Sequence, residues 1–371
     1  MPSKLPNLKV TRAERSRIDQ VDFENLPFGY IFSDHLFSME YRDGAWQSPE
    51  IIPYGPISLE PGAAMLHYGQ TVFDGLKAFR GVDGDARVFR PQSNAKRLQN
   101  SCERLCMPTV DEETFCAAIE ALIELDHAWM PSKKGDSLYV RPLMIGTESH
   151  LDVRPDVTYR FMVMTAPVGS YFGQRQGGVS LKAEEQFTRA AALGGLGGAK
   201  TAANYAAGMF ATQKARAEGF DHSLWLDSNE HRFVEEVGAM NIFFKKNGTV
   251  ITPPLSGSIL PGVTRDSVIT MLGDRGIPME ERPISIDEVL ESVKDGSMEE
   301  VFGAGTAAVI SPVERLAFKG ESVTLATVPG PLTLELYEEI LGIQNGGIED
   351  RHGWNMIVPI PKAEPVAATA R

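Results

Sequence analysis

Leu193-Gly194-Gly195-Leu196-Gly197-Gly198-Ala199-Lys200-Thr201 is a glycine run that ends in a single lysine and leads directly into a helical pattern. Ala202, Ala203, Ala206, Ala207, Met209, Phe210, Ala211 and Lys214 are good helix formers, and their apolar positions recur every three or four residues. This spacing predicts a helix with an apolar stripe. The glycines free the backbone for conformations closed to other residues and for close approach to a ligand. An amine carried on such a shoulder suits Schiff-base chemistry with a carbonyl compound, for which it must be neutral and therefore partly desolvated. Lys200 is thus the candidate catalytic residue. Two other readings of the stretch stand beside this one. It can be an ordinary surface loop with a solvated lysine. It can also be a phosphate loop, because residues 194–201 read G-x-x-x-x-A-K-T, one residue away from the nucleotide-binding pattern. A phosphate loop follows a buried strand, however, and residues 181–189 read as polar and charged. Asp227, after Leu224-Trp225-Leu226, would be its magnesium ligand.

The chain has 371 residues, 43% hydrophobic and 23% charged, which is the composition of an ordinary globular protein with room for two cores. Its formal charge of −13 argues against nucleic acid and anionic membrane partners, which need clustered lysine and arginine. A small-molecule ligand fits better. Residues 1–20 hold no apolar core segment, and no run approaches the roughly 20 apolar residues that span a bilayer. The expected location is the cytoplasm. Cys102, Cys106 and Cys116 lack disulfide or zinc spacing, and Cys102 and Cys106 read as core positions of a helix over residues 94–107. The seven histidines are scattered, so no metal is expected.

Asp43-Gly44 and Asp83-Gly84 predict hairpins, and a second helix is expected over residues 112–129 with Asp111 as its N-cap. Strands are expected at residues 137–145 and 159–166. In the first of these Tyr139 and Arg141 point the same way, which makes that face a site candidate. Residues 169–179 read as a connection between an N-terminal domain, 1–168, and a C-terminal domain, 180–371, that carries the lysine. In the second half Asn247-Gly248 marks a third hairpin. Leu260-Pro261-Gly262-Val263-Thr264-Arg265 opens a helix whose free N–H groups form a phosphate cup, and Gly305-Thr306-Ala307 is a second turn with the same capability.

Taken together and in order, several motifs carry a family resemblance. They are residues 66–78 with Tyr68 and Phe73, Leu138-Tyr139-Val140-Arg141-Pro142, the Lys200 segment through Asn204-Tyr205, Glu235-Glu236-Val237-Gly238-Ala239-Met240-Asn241, residues 260–265 and Gly305-Thr306-Ala307. From about Phe28 to Trp354 the chain resembles the branched-chain amino-acid aminotransferases, members of the fold-type IV pyridoxal-phosphate enzymes. The resemblance implies an α/β (α+β) fold, with a small α/β domain, a larger pseudo-barrel α/β domain and the cofactor between them. It implies amino-group transfer between leucine, isoleucine or valine and 2-oxoglutarate, giving branched-chain 2-oxo acids and glutamate.

The same resemblance assigns roles. Lys200 would hold pyridoxal 5′-phosphate covalently and, once displaced by the amino-acid substrate, move the substrate proton as base and then acid. Glu236 would pair with the pyridinium nitrogen, while its neighbour Glu235 reads as a solvated strand-end carboxylate. Arg97, Val263, Thr264 and Thr306 match the phosphate-binding set, and Tyr205 matches the residue on the phenolic oxygen. Tyr68, Arg141 and the backbone around Ala307 match the carboxylate-recognition elements. Phe28, Phe73, Tyr139 and Tyr171 match the side-chain pocket, and Leu151 and Val153 the segment that reaches a neighbouring subunit's site, which implies a homodimer. Ala239 departs from the pattern, standing where some relatives have a carboxylate-binding threonine. Within the same fold, D-amino-acid transaminases and aminodeoxychorismate lyases are the alternatives; the phosphate-loop reading is the remote one.

Overall fold

The computed structural model describes residues 4–170, 177–191 and 194–361. Two sheets carry the fold, and helices α1 (Ala64–Tyr68), α2 (Pro91–Arg104), α3 (Glu112–Leu125), α4 (Ala202–Ala217), α5 (Val263–Asp274), α6 (Ile286–Lys294) and α7 (Pro331–Asn345) pack around them. The first sheet is built around Tyr159–Val168 and Ser137–Gly146, which pair antiparallel along their whole length. His35–Arg42 lies outside one and Leu76–Arg80 outside the other. The predicted hairpins at Asp43-Gly44 and Asp83-Gly84 form, because left-handed residues at those turns match the twist of the flanking strands. Asp111 caps α3 by accepting the Thr114 N–H. That helix buries Phe115, Ile119 and Leu122 against Phe37 and Phe161 of the sheet.

The second sheet runs from Val234–Val237 through His222–Leu226, Val179–Ala183, Val309–Phe318 and Met298–Gly305 to Met240–Lys246. Val234–Val237 also pairs with Met240–Lys246, so these strands close into the expected pseudo-barrel. Met240–Lys246 is apolar on both faces: Phe244 enters one core with Leu224 and Val313, and Phe243 another with α5 and α7. After α7 the chain returns to the first sheet, where Asn355–Val358 pairs antiparallel with Ala86–Phe89. Phe89 and Trp354 thereby join the core that α5 and α7 share.

Three details differ from the sequence reading. The segment read as polar, 181–189, starts inside a strand, Val179–Ala183, in which Val179, Leu181 and Ala183 are buried between two parallel neighbours. Its alternation is only five residues long and its outward positions are serine and lysine, so it shows no continuous apolar run. The helix after Lys200 forms, but its buried face is Asn204, Gly208, Ala211 and Ala215, and Met209 and Phe210 point outward. Small residues face the barrel because Trp225 lies against them; a Cβ at Gly208 would meet its ring at 3.2 Å. Cys102 is buried, but α2 stops at Arg104 and Cys106, in a left-handed conformation beyond the helix end, is exposed.

The loop before Lys200 is fixed by backbone. Gly198 N–H donates to the Gly257 carbonyl at 2.9 Å, and a Cβ on Gly197 would overlap the main chain of Ser258. Gly197→Ala should therefore destabilise the protein by about 1 to 3 kcal/mol, as overpacking against immobile atoms does. Urea unfolding of the variant measures this; a loss below about 0.5 kcal/mol, the size of an ordinary surface change, would show that the two loops can separate.

Candidate active site

A cavity of about 180 Å³ opens between the two sheets, and Lys200 stands in its wall. The lysine backbone is held from the first sheet: its N–H donates to Ser101 Oγ of α2 at 2.9 Å, and its carbonyl accepts the Phe73 N–H at 3.0 Å. Thr201 continues the attachment through a hydroxyl bond to the Thr71 carbonyl. The Lys200 ammonium lies 2.8 Å from the Tyr205 hydroxyl, one turn along α4, and 5.1 Å from the centre of the Phe73 ring.

Next to the lysine, Arg141 stacks on Phe73 and Tyr139, with its guanidinium 4.7 and 5.2 Å from their ring centres, and donates to the Tyr139 hydroxyl at 3.0 Å. Its Nε is buried without a hydrogen-bond partner. Phe28 packs edge-on against Tyr139 and closes that side. On the opposite side Gly262 precedes α5 and, having no side chain, gives the first amides of that helix no capping acceptor. Gly262, Val263 and Thr264 line the cavity, so the helix N-terminus faces the space, with Thr306 and Arg97 beside it.

Glu236 lies one layer behind this wall. It accepts the Leu260 N–H at 2.7 Å and the Asn241 amide at 3.3 Å, and both of those residues line the cavity. Arg189 Nε stands 2.7 Å from its other oxygen. Burial pushes the Glu236 carboxyl up to about 7, against the pull of Arg189 and the Leu260 amide.

Lys200, Tyr205, Arg97, Val263, Thr264, Thr306, Phe28, Phe73, Tyr139, Arg141 and Ala307 thus meet around one space. Tyr68, Leu151 and Val153 stand apart from that wall. All three are exposed, and the Tyr68 hydroxyl donates to the Leu151 carbonyl at 2.6 Å. Tyr171 falls outside the described residues. Glu235, read as solvated, is buried, because the loop at residues 256–258 covers it and Ser258 donates to it.

Four polar residues carry the site without having been read from the sequence. Asp74 is fully buried and grips Arg97 through two oxygens, at 2.6 and 3.0 Å. Burial raises its carboxyl, but the Arg97 guanidinium outweighs that and holds it below its ordinary value. Lys77, also buried, donates to the Ala307 carbonyl at 2.7 Å and fixes the 305–307 turn, and burial lowers its ammonium to about 8. Arg189 and Asn241 complete the set. Asp74 and Lys77 gave a signal, since each charge sits among apolar residues of a short strand motif; Arg189 gave none. Asp227, the magnesium ligand of the phosphate-loop reading, spends its carboxylate on the N–H groups of residues 229, 230, 232 and 233.

Residues 71–316 match the model of the amino-transferase class IV family. The chain belongs to the class IV aminotransferases. Over 335 residues it is 47% identical to branched-chain-amino-acid aminotransferase 2 of Bacillus subtilis, covering 90% of this chain and 92% of that one. The identity to that organism's branched-chain-amino-acid transaminase 1 is also 47%, over 92% of this chain and 96% of the relative. Among solved structures, the Escherichia coli branched-chain amino acid aminotransferase superposes with a TM-score of 0.74 at 26% identity, covering 88% and 99% of the two chains. A further neighbour, the T.th. branched-chain amino acid aminotransferase, was solved with N-(5′-phosphopyridoxyl)-L-glutamate and has a TM-score of 0.70 at 26% identity, covering 86% and 98%. The fold is therefore the fold-type IV aminotransferase fold, and the cofactor of this aminotransferase is pyridoxal 5′-phosphate. The site fits it. An amine with a phenol beside it, a helix N-terminus with an arginine, and a buried carboxylate of raised proton affinity are the groups that an aldehyde, a phosphate and a pyridine nitrogen need.

The Glu236 carboxyl has a testable energetic consequence. Its folded value of about 7 exceeds its ordinary value of 4.5, so the folded chain holds the proton longer. The resulting cost is absent below pH 4.5, grows between 4.5 and 7, and is complete above 7. Between these limits the cofactor-free wild type should lose about 3 kcal/mol relative to Glu236→Gln. Denaturant titrations of both proteins across that range measure the difference; a gap that stays constant with pH contradicts it.

Proposed function

We propose that the protein transfers the amino group of L-leucine, L-isoleucine and L-valine to 2-oxoglutarate, giving the branched-chain 2-oxo acids and L-glutamate. One observation carries this reading: an aromatic wall of Phe28, Phe73 and Tyr139 surrounds a single guanidinium, Arg141, whose Nε is buried and unpartnered. A branched-chain substrate, with one carboxylate and a compact apolar side chain, answers both features; 2-oxoglutarate as its partner rests on the family resemblance. The B. subtilis relatives bear names with the same substrate class.

When bound, pyridoxal phosphate supplies an electron sink for the carbanion formed at the substrate Cα. The protein's own groups then divide the remaining work. Lys200 acts as base and acid, moving the Cα proton, and Tyr205 keeps its amine in place. Glu236 would be the carboxylate that keeps the ring nitrogen protonated; attraction between unit charges at close range, roughly 4 kcal/mol at an effective dielectric of 20, would suffice to hold that proton. Arg97, Thr306 and the first amides of α5 bind the phosphate, and Arg141 with the Ala307 backbone binds the substrate carboxylate. Because an apolar pocket discriminates by only about 1 to 3 kcal/mol per methylene, the three branched-chain substrates should all turn over.

The assembly we propose is a homodimer in the cytoplasm, in which the exposed Leu151 and Val153 reach a neighbour's site. The domain division we propose is 1–168, 169–179 and 180–371, with Lys200 in the last part. Among the described residues no helix is long and apolar enough to cross a membrane.

The deciding experiment follows the visible spectrum of the protein with its cofactor. Wild type should lose its visible band on addition of L-leucine, recover it with 2-oxoglutarate, and respond to D-leucine at least about 100-fold more slowly, the rate equivalent of a substrate misplaced at the lysine. Lys200→Ala should complete neither conversion. Equal turnover of D-leucine would point to the D-amino-acid transaminase alternative, and an unaffected Lys200→Ala would refute the lysine's role.

A further inference from the structure

Glu235 and Glu236 are neighbours on the strand Val234–Val237, and strand alternation sends their side chains to opposite faces. Glu236 serves the cofactor side. Glu235 lines a separate cavity of about 300 Å³. That cavity has apolar walls, among them Phe233, Pro253 and Ile259, and its charged lining residues are Asp227, Glu230 and Glu235, with no lysine or arginine among them. Asp227 is committed to the backbone of its own turn, and Glu230 is exposed at the rim. Glu235 is different. It is 7% exposed, one oxygen takes the Ser258 hydroxyl, and Oε2 is buried with no hydrogen-bond partner. A buried carboxylate oxygen left unmatched is costly, and a donor that reaches it removes the cost.

We infer that this cavity is a second ligand site, which takes a small protonated amine with a compact apolar body, its N–H donated to Glu235. An anion would meet three carboxylates among the lining residues, the nearest cations being Arg232, which pairs with Glu230 at the rim, and Arg189, which pairs with Glu236; a purely apolar ligand would leave Oε2 unmatched. The site is tied to the catalytic one through a single loop. The Ser258 carbonyl accepts from Arg189, which pairs with Glu236, and the Gly257 carbonyl accepts from Gly198 in the loop before Lys200. Occupancy at Glu235 therefore bears on the segment that supports both the lysine and the carboxylate of the cofactor site.

The test uses the cofactor-loaded enzyme and N-methylpiperidinium, a tertiary ammonium that cannot condense with the cofactor aldehyde or act as an amino donor. Calorimetry or ligand-observed NMR should detect binding, and saturating 4-methylpentanoate, a carboxylate for the catalytic cavity, should not abolish it. Glu235→Gln should weaken binding at least about tenfold, and the neutral isostere cyclohexanol should bind at least about tenfold more weakly to wild type. Glu230→Lys, a substitution at an exposed rim position, should also weaken the cation's binding, which keeps the test decisive if Glu235→Gln fails to fold. No binding up to about 10 mM, equal binding of cyclohexanol, or displacement by the carboxylate would each overturn the proposal. None of these outcomes depends on which amino acid the catalytic site transaminates.

Discussion

The backbone around Lys200 is held from two sides. One side of the segment is pressed against Ser258 and Gly257, closely enough that a side chain at residue 197 would collide with the main chain, and the other is bonded to Phe73, Ser101 and Thr71. The first contact comes from the barrel and the second from the other sheet, so the lysine segment is one of the places at which the two sheets are joined. A four-carbon side chain on a mobile loop would lose most of its orientation to rotamer entropy. Here the main chain bears that cost through the packing of both cores, and the amine has only its own torsions left to settle. Tyr205, one helical turn away, removes part of that freedom as well.

Around this anchor the charges come in buried pairs. Asp74 holds Arg97, and Arg189 holds Glu236; in each pair one member faces or underlies the cavity and the other is turned away from it. Taking such pairs out of water contributes little to stability and often lowers it. Their value is positional. Arg97 gripped by two carboxylate oxygens presents its remaining edge in one orientation, and Glu236 with two donors on one oxygen and an arginine at the other cannot rotate. Burial raises the proton affinity of Glu236 against the pull of Arg189 and the Leu260 amide. Arg189, the Leu260 amide and Lys200 all favour the ionised carboxylate, yet burial outweighs them together.

The sequence disclosed those parts of the molecule that obey local rules. Hairpins with Asp-Gly turns, the Asp111 cap and the helix after the glycine run follow from backbone preferences confined to a few residues, and the long paired strands follow from alternation. Where a partner distant in sequence decides, the reading went astray. Met209 and Phe210 look like the core face of α4, yet Trp225 leaves room there only for small residues. Glu235 looks solvated, yet a loop more than twenty residues later covers it. The motif residues that meet at the cavity were legible because they recur as an ordered set. Of their supports, Asp74 and Lys77 left a signal as charges among apolar residues, whereas Arg189 left none, since a buried charge in a polar stretch declares itself only through the residue that pairs with it.

The return of the chain to the first sheet explains why the two sheets keep one geometry. Asn355–Val358 pairs with Ala86–Phe89, and Phe89 and Trp354, at the end of that pairing, enter the same core as α5 and α7. Arg90, the next residue, lies over the Trp354 ring and bonds both Ser267 and Asp266 of α5. The helix whose N-terminus forms the anion cup is thus fastened to the sheet that carries Phe73, Tyr139 and Arg141. Arg97 leaves that sheet on α2 and meets the cup from the other direction. A ligand spanning from the cup to Arg141 consequently touches groups whose separation is set by one continuous core, and any sliding between the sheets would have to break that core first. The distance between the N-terminus of α5 and Arg141 is therefore a property of the packing and does not depend on a ligand to establish it.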